Sequence, residues 1–267
     1  MNNRIEVHAS KVLNRYMQYD LLFWFLAVLA AIFVGLGKGG LPVVAVLGVP
    51  ILSLVMPTIA AASLLLPVYI VSDIFALYAY KRDYNKEVLK VSFVGMGVGV
   101  VVGWGTAHLL IEWVVTFLIG TMGATFASSL LWKRSTGNVS FEPLNHMKGY
   151  YWCTIAGLTS FISHNGGPPW QIFTLPLKLP KKVFVGTSVI AFSYCNAIKL
   201  IPYYYLGQLD MESFKVAASL MVPAAISVYL GVTIVTKIPE KLFFNIIAYA
   251  LFFISIKLIW DGLSVPF

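Results

Sequence analysis

Eight long apolar stretches constrain this chain more than any other feature of its sequence. They run approximately over residues 21–55, 57–80, 91–110, 113–132, 149–177, 183–206, 214–235 and 242–260. A helix needs about 20 apolar residues to cross the hydrocarbon core of a bilayer. Charged residues make up 11% of the 267 positions, whereas a soluble domain has about 25%. The sequence therefore predicts an all-α, polytopic membrane protein and excludes an ordinary cytosolic enzyme.

Two of these stretches, 21–55 and 149–177, are too long for one crossing and are interrupted by glycine and proline. Gly39-Gly40-Leu41-Pro42 in the first half aligns with Gly166-Gly167-Pro168-Pro169 in the second at an offset of 127 residues. Matched interruptions of this kind indicate an internal duplication. We expect two inverted repeats, each with one broken segment and three transmembrane helices. Each broken segment is either a re-entrant hairpin or a pair of short helices.

The expected division of the chain follows from these repeats. The first covers 21–132 and the second 149–262, with 133–148 as a hydrophilic cytoplasmic linker and 263–267 as a C-terminal tail. Residues 1–20 contain three basic side chains but no small-residue cleavage site of a signal peptide. They are expected to form an interfacial arm that leads into the membrane.

The basic residues indicate how the chain is oriented. Lysine and arginine collect on the cytoplasmic side of membrane proteins. Here they lie after the second stretch, in the linker, before the sixth stretch and before the eighth, at Lys81, Arg82, Lys86, Lys90, Lys133, Arg134, Lys148, Lys178, Lys181, Lys182, Lys237 and Lys241. These positions predict that the two halves are inverted. They also indicate that the net charge of +8 orients the protein in the membrane and does not bind nucleic acid. Two re-entrant segments would place both termini outside, whereas a single crossing by the first would place the N-terminus inside.

Ionisable side chains far from the end of a stretch are Lys38, Asp73 and Lys199, with His164 at the second break. An ionised group in mid-bilayer costs at least about 2.5–3.5 kcal/mol, so each is a functional candidate. Lys38 lies among glycines whose bare backbone lets a ligand approach, and Pro42 suits the first turn of a following half-helix. The sequence predicts that Lys38 and the N-termini of both half-helices hold a small anion. The alternative is a Lys38 that snorkels or pairs with Asp73 for structure alone.

The predicted anion site draws on both breaks and on the helices that follow them. Its residues are Lys38, Gly39, Gly40, His164, Asn165, Gly166, Gly167, Gln171, Asn196 and Lys199. Asn165 stands where Lys38 stands in the first repeat, so one fixed cation remains and a monoanion fits best. Lys199 either contacts the anion or reaches toward the lipid headgroups.

Coupling to a second ion is expected to involve Asp73 or His164. Asp73 aligns with Asn196 at an offset of 123 residues, which places a short polar side chain at the same depth in each repeat. Histidine titrates near neutral pH and can carry a proton. Sodium is the alternative coupling ion, because carbonyl oxygens at a half-helix C-terminus can coordinate it.

Signals for other classes of protein are missing from the sequence. It contains neither a Walker-type phosphate loop nor a His-Glu-x-x-His motif, and no metal or cofactor is expected. Cys153 and Cys195 lie inside apolar stretches and are read as buried thiols. The glycines at 95, 99 and 103 form a small-residue face for close helix packing, within the subunit or in a homodimer.

These motifs resemble those of the TauE/SafE family of membrane permeases, also called the toluene sulfonate uptake permease family. The resemblance spans roughly residues 20–262 and rests on Gly37 to Pro42, Leu64 to Pro67 with Asp73, Ile162 to Pro169, Leu179 to Thr187, and Asn196 with Lys199. Asn165 departs from the small residue that the family commonly has there.

The resemblance implies two repeats of one hydrophobic domain in a bacterial-type cytoplasmic membrane. It also implies secondary transport of a small organosulfonate or of an oxidised sulfur anion such as sulfite, with uptake and export both open. The lipid bilayer, the anion and a coupling ion are the expected partners. A channel or facilitator for sulfite-like or carboxylate-like anions is the alternative function, and no enzymatic activity is expected.

Overall fold

The computed structural model describes residues 21–107, 112–136, 141–209 and 211–264. The expected arm at 1–20 and the last three residues of the tail lie outside these ranges. Regular structure in the described residues is entirely helical. The helices are α1 Leu21–Lys38, α2 Pro42–Ala45, α3 Gly48–Leu52, α4 Thr58–Tyr80, α5 Lys86–Gly105, α6 Glu112–Ser135, α7 His146–Ser163, α8 Gly167–Thr174, α9 Lys181–Tyr205, α10 Met211–Lys237 and α11 Glu240–Leu263. The all-α class predicted from the sequence is confirmed.

Several helices are long and apolar enough to cross a bilayer. Within the described residues these are α1, α4, α5, α9, α11 and the part of α10 from Ser213, six in all. Large apolar side chains such as Val101, Tyr229 and Phe253 are exposed on their outer faces. Lipid would cover such faces, and the chain is an integral, multi-pass membrane protein.

The first broken segment turns back along the helix that precedes it. A Cβ atom added to Gly37 near the end of α1 would contact Ala45 in α2, and one added to Gly48 in α3 would lie 2.9 Å from Val34. The turn between these arms contains Gly40 at φ 121°, a conformation that costs glycine little. The segment from Leu21 to Leu52 is therefore a hairpin, which we call hairpin 1.

The second broken segment has the same form. Helix α7 ends at Ser163, and His164 follows in the left-handed conformation at φ 56°. Helix α8 then runs back along α7, because a Cβ added to Gly149 near the start of α7 would lie 2.8 Å from Phe173 near the end of α8. We call residues 146–177 hairpin 2. Helices α6 and α7 each extend a few residues into the expected linker at 133–148.

Helices of the first half pack mainly against helices of the second. Helix α1 packs against α10, α5 against α7, α6 against α11, and α4 against both α9 and α10. In the α5–α7 contact a Cβ on Gly95 would lie 2.6 Å from Cys153, and one on Gly99 would meet the carbonyl of Thr154. The predicted small-residue face is thus used within the chain. Two inverted repeats would give such packing of each half against the other. The internal duplication itself stays a prediction.

The lysine-rich loops meet at one end of the helix bundle. The backbone N–H of Asn85, after α4, donates to Thr187 Oγ1 near the start of α9 at 2.9 Å. Lys181 Nζ donates to the carbonyl of Val235 near the end of α10 at 2.7 Å. Three of the loops that carry most of the basic residues therefore share one face of the protein.

Candidate functional site

A small cavity lies where the two hairpins meet α4 and α9. Its volume is about 60 Å³. Hairpin 1 contributes its turn, hairpin 2 contributes the end of α7 and the start of α8, and α4 and α9 close the sides. The polar and aromatic residues on its wall are Lys38, Tyr69, Ser160, His164, Trp170, Ser188, Phe192 and Asn196, together with Gly37, Gly40 and Gly167. Of the described lining residues, Lys38 is the one that carries a fixed charge.

Lys38 forms a buried ion pair beside this cavity. Its side chain is 8% exposed, and its Nζ lies 2.6 Å from Oδ1 of Asp73 on α4. The other carboxylate oxygen, Oδ2, accepts a hydrogen bond from Asn196 Nδ2 on α9 at 2.8 Å. Asp73 itself does not line the cavity. The Lys38 ammonium therefore faces the cavity, while the Asp73 carboxylate lies behind it. Asn196, which aligns with Asp73 in the second repeat, holds that carboxylate in place.

A second buried lysine lies behind the wall formed by hairpin 2. Lys199 on α9 is 0% exposed, and its Nζ donates to the carbonyl of Ser160 at 3.0 Å and to the Ser160 hydroxyl at 3.1 Å. The same nitrogen lies 2.8 Å from Nδ1 of His164, whose Nε2 lies 3.0 Å from the carbonyl of Ala62. Lys199 therefore reaches the cavity only through His164 and Ser160, which do line it.

Aromatic side chains hold the remaining walls in place. The Tyr69 ring stacks on His164 with centroids 4.7 Å apart, and its hydroxyl donates to the carbonyl of Ala45 in hairpin 1 at 2.9 Å. Trp170 Nε1 donates to Ser188 Oγ at 2.8 Å. Each aromatic group joins two elements around the cavity, so the wall is built from fixed side chains.

Both half-helices that follow the breaks are short. Helix α2 has four residues and α8 has eight, and Pro168 and Pro169 in the first turn of α8 have no N–H to offer. A helix dipole acts through its unpaired terminal N–H groups. Gly167 is then the first-turn residue of α8 that both has an N–H and lines the cavity, and Lys38 supplies the fixed charge of the wall.

The structure brings together part of the predicted set. Lys38, Gly40, His164, Gly167 and Asn196 line the cavity. The rest lie beside or behind its wall, with Asn165 donating to Ser163 Oγ at 3.1 Å and Gln171 buried in α8; this second group is Gly39, Asn165, Gly166, Gln171 and Lys199.

Tyr69, Ser160, Ser188 and Phe192 line the cavity but were missed in the sequence. Tyr69 precedes Asp73 by four residues, and Ser188, Phe192 and Asn196 recur at intervals of four. Residues at this spacing share a helix face. Extending the search along the faces of Asp73 and Asn196 would therefore have found three of the four.

Comparison with protein families gives one relationship. Residues 21–258 match the family model described as Sulfite exporter TauE/SafE. No curated protein and no solved structure matches the chain. The matched range contains both hairpins and every residue of the cavity wall.

Proposed function

The chain belongs to the TauE/SafE sulfite exporter family, and on that premise we propose that it is a secondary transporter for sulfite or a sulfur oxyanion of similar size. The observation that carries this proposal is the cavity between the hairpins. Among its described lining residues Lys38 supplies a positive charge and none supplies a carboxylate. Such a wall favours an anion.

The ion pair with Asp73 explains how the site is kept stable when it is empty. A lone ammonium in a dry interior is costly, whereas a paired and hydrogen-bonded one is tolerated. An anion that enters the cavity shares the Lys38 ammonium with Asp73, and Asn196 keeps the carboxylate in place. Binding therefore needs no large movement of either charged side chain.

The size of the cavity favours a small substrate. A cavity of about 60 Å³ has room for a few water molecules, at about 10–15 Å³ of cavity volume for each. One sulfur atom with three oxygens is of that order, while an aromatic sulfonate is several times larger. We therefore narrow the organosulfonate expectation to sulfite and the smallest sulfonates.

We further propose that anion movement is coupled to protons across a bacterial-type cytoplasmic membrane. The buried charges support this. Lys38 is already paired with Asp73, so a bound anion adds a negative charge that this pair does not neutralise. A proton taken up nearby would offset that charge.

Binding is tested first by ligand-dependent stabilisation of the purified protein. We expect sulfite and methanesulfonate to raise the melting temperature and toluenesulfonate to have no effect. A panel in which carboxylates stabilise and sulfur oxyanions do not would overturn the substrate class.

Accumulation is then tested in proteoliposomes. With the outside made acidic, we expect sulfite to rise inside above its external concentration, and a protonophore should abolish the excess. Equilibration without accumulation would instead indicate a channel or facilitator. Accumulation that requires sodium would make sodium, and not the proton, the coupling ion.

A further inference from the structure

We infer that Lys199 and His164 share one exchangeable proton and form the coupling site of this transporter, with Asp73 confined to holding Lys38. The inference rests on the proposed function, since it names the residues that would carry its proton. It assigns to Lys199 a role that neither the family match nor the sequence pattern gives it.

The hydrogen bonds fix the tautomer of His164. The carbonyl of Ala62 can only accept, so Nε2 of His164, 3.0 Å away, must carry a hydrogen. In the neutral ring Nδ1 is then a lone pair and accepts from Lys199 Nζ at 2.8 Å. His164 is therefore poised to receive a proton at Nδ1 from Lys199 and from no other described side chain.

The surroundings of Lys199 favour a role as a proton carrier over a purely structural one. Its three acceptors are the carbonyl and hydroxyl of Ser160 and the His164 ring. None of them is anionic, and among the described residues no carboxylate pairs with it. A buried ammonium without a counter-ion is held only weakly in its charged form, so its charge responds to a nearby anion.

When the pair is protonated, its one exchangeable proton lies in either of two arrangements. In the first, an ammonium on Lys199 donates to a neutral His164. In the second, that proton has moved along the same hydrogen bond, the N–H bond at Nζ is broken, one at Nδ1 is formed, and a neutral amine accepts from an imidazolium. With a second proton, Lys199 Nζ and His164 Nδ1 would both be donors, and the hydrogen bond between them would be lost. The pair therefore binds a single proton.

This transfer moves charge to the cavity without moving heavy atoms. Lys199 lies behind the wall, whereas His164 lines the cavity. An anion in the cavity favours the arrangement with the charge on His164, because the separation is then smaller. Anion binding and proton binding thus strengthen each other, as linkage requires.

Other titratable groups face the pair from neighbouring helices, and the rings of Tyr69 on α4 and Tyr203 on α9 lie 4.7 Å and 6.4 Å from the His164 ring. Those that act on Lys199 are His164, Cys195 one turn away on α9, and at longer range Lys38 on α1 and Asp73 on α4. The carboxylate of Asp73 pairs with Lys38 through Oδ1 and accepts from Asn196 at Oδ2, and we assign it to holding Lys38. This assignment replaces Asp73 as the expected proton carrier.

The first test uses the wild-type protein and sodium sulfite at a pH well above the range in which sulfite itself titrates. We expect about one proton to be taken up from a weakly buffered solution for each sulfite bound. The affinity should fall about tenfold per pH unit, as for one linked proton. Binding without proton uptake would overturn the inference and leave the anion site standing.

The second test uses variants that keep the local structure. Lys199→Gln retains hydrogen-bond donors without the charge, and His164→Asn suits a left-handed position. Both should bind sulfite with an affinity independent of pH and lose accumulation driven by the proton gradient. Lys257→Gln, which replaces a partly exposed lysine of α11 paired with Asp261, is the control and should behave as wild type.

The outcomes separate this inference from the proposed function. If the wild-type protein binds no sulfur oxyanion, the proposed function fails. If it binds and accumulates sulfite but Lys199→Gln keeps the full pH dependence, the proton lies elsewhere and the inference is wrong. If a variant does not fold, the proton-uptake measurement on the wild-type protein still tests the inference, because it needs no substitution.

Discussion

At the scale of single residues, the Lys38–Asp73 pair has two roles that mutations can separate. Lys38→Ala leaves the Asp73 carboxylate buried without its cation, and breaking such a pair costs about 3–5 kcal/mol. We expect both a lower unfolding temperature and loss of sulfite binding. The double variant Lys38→Ala/Asp73→Ala should recover stability but not binding, as measured by thermal unfolding with and without sulfite. Recovery of binding in the double variant would remove Lys38 from the site.

Replacing Lys38 by arginine tests the shape of the cation. A planar guanidinium needs more room than a compact ammonium, and a Cβ at neighbouring Gly37 would already press on Ala45. We expect Lys38→Arg to fold, because it keeps the charge opposite Asp73, and to bind sulfite at least about tenfold more weakly. Titration calorimetry measures this, and wild-type affinity in Lys38→Arg would contradict it.

Asp73→Asn tests what the carboxylate does. The substitution keeps the shape and the contact with Asn196 but removes a negative charge that opposes the anion. We expect sulfite binding to strengthen by roughly tenfold or more, from charges a few ångströms apart at an effective dielectric of about 20. Proton dependence of transport should remain. Loss of that dependence with intact binding would return the coupling role to Asp73.

The residues of the site differ in how visible they are in the sequence. Lys38, Asp73 and Lys199 stand out because an ionisable group inside an apolar stretch is costly. What no local pattern reveals is that Lys199 lies behind His164, because that contact joins α7 to α9 across 35 positions. Burial of Asn165 beside the wall is likewise a result of how the turn folds.

At the scale of elements, the packing of α5 on α7 depends on glycines that leave no room for a side chain. A Cβ on Gly99 would overlap the carbonyl of Thr154 and lie 2.7 Å from the backbone of Leu158. We expect Gly99→Ala to lower stability by about 1–3 kcal/mol, the usual cost of overpacking. Gly105→Ala is the matched control at the end of the same helix, since no atom lies within 4 Å of its added Cβ. Equal unfolding temperatures for the two variants would contradict this packing.

The elements themselves follow from composition, but their partners do not. Stretch length and the Gly/Pro breaks predict the long helices and the two interruptions. The pairing of α1 with α10 is different, because it depends on Gly39 meeting Gly231 across almost the whole chain. Such contacts depend on shape complementarity between helices that are far apart in the sequence. The spacing of residues along one helix does not specify which other helix it will contact.

At the scale of the whole molecule, we expect the hairpins to enter from opposite ends and so to determine where the loops lie. Hairpin 1 returns the chain to the end where it began, so the loop containing Leu54 shares a side with the end of α9. The lysine-rich loops occupy the other end, which the charge rule predicts to be cytoplasmic. This arrangement would put the start of α1 outside, which the basic residues at positions 4, 11 and 15 oppose.

Labelling of single cysteines decides between the two topologies. Cys153 and Cys195 are buried free thiols, and alanine at both positions removes them from the labelling background. In intact cells, an impermeant maleimide should label Leu54→Cys and Tyr205→Cys, whose native side chains are 74% and 72% exposed. Lys182→Cys and Lys241→Cys, at exposed positions in the basic loops, should react only after the membrane is opened. If Leu54→Cys is protected while Tyr205→Cys is labelled, the first segment crosses the membrane completely, and the inverted arrangement of the two halves is wrong.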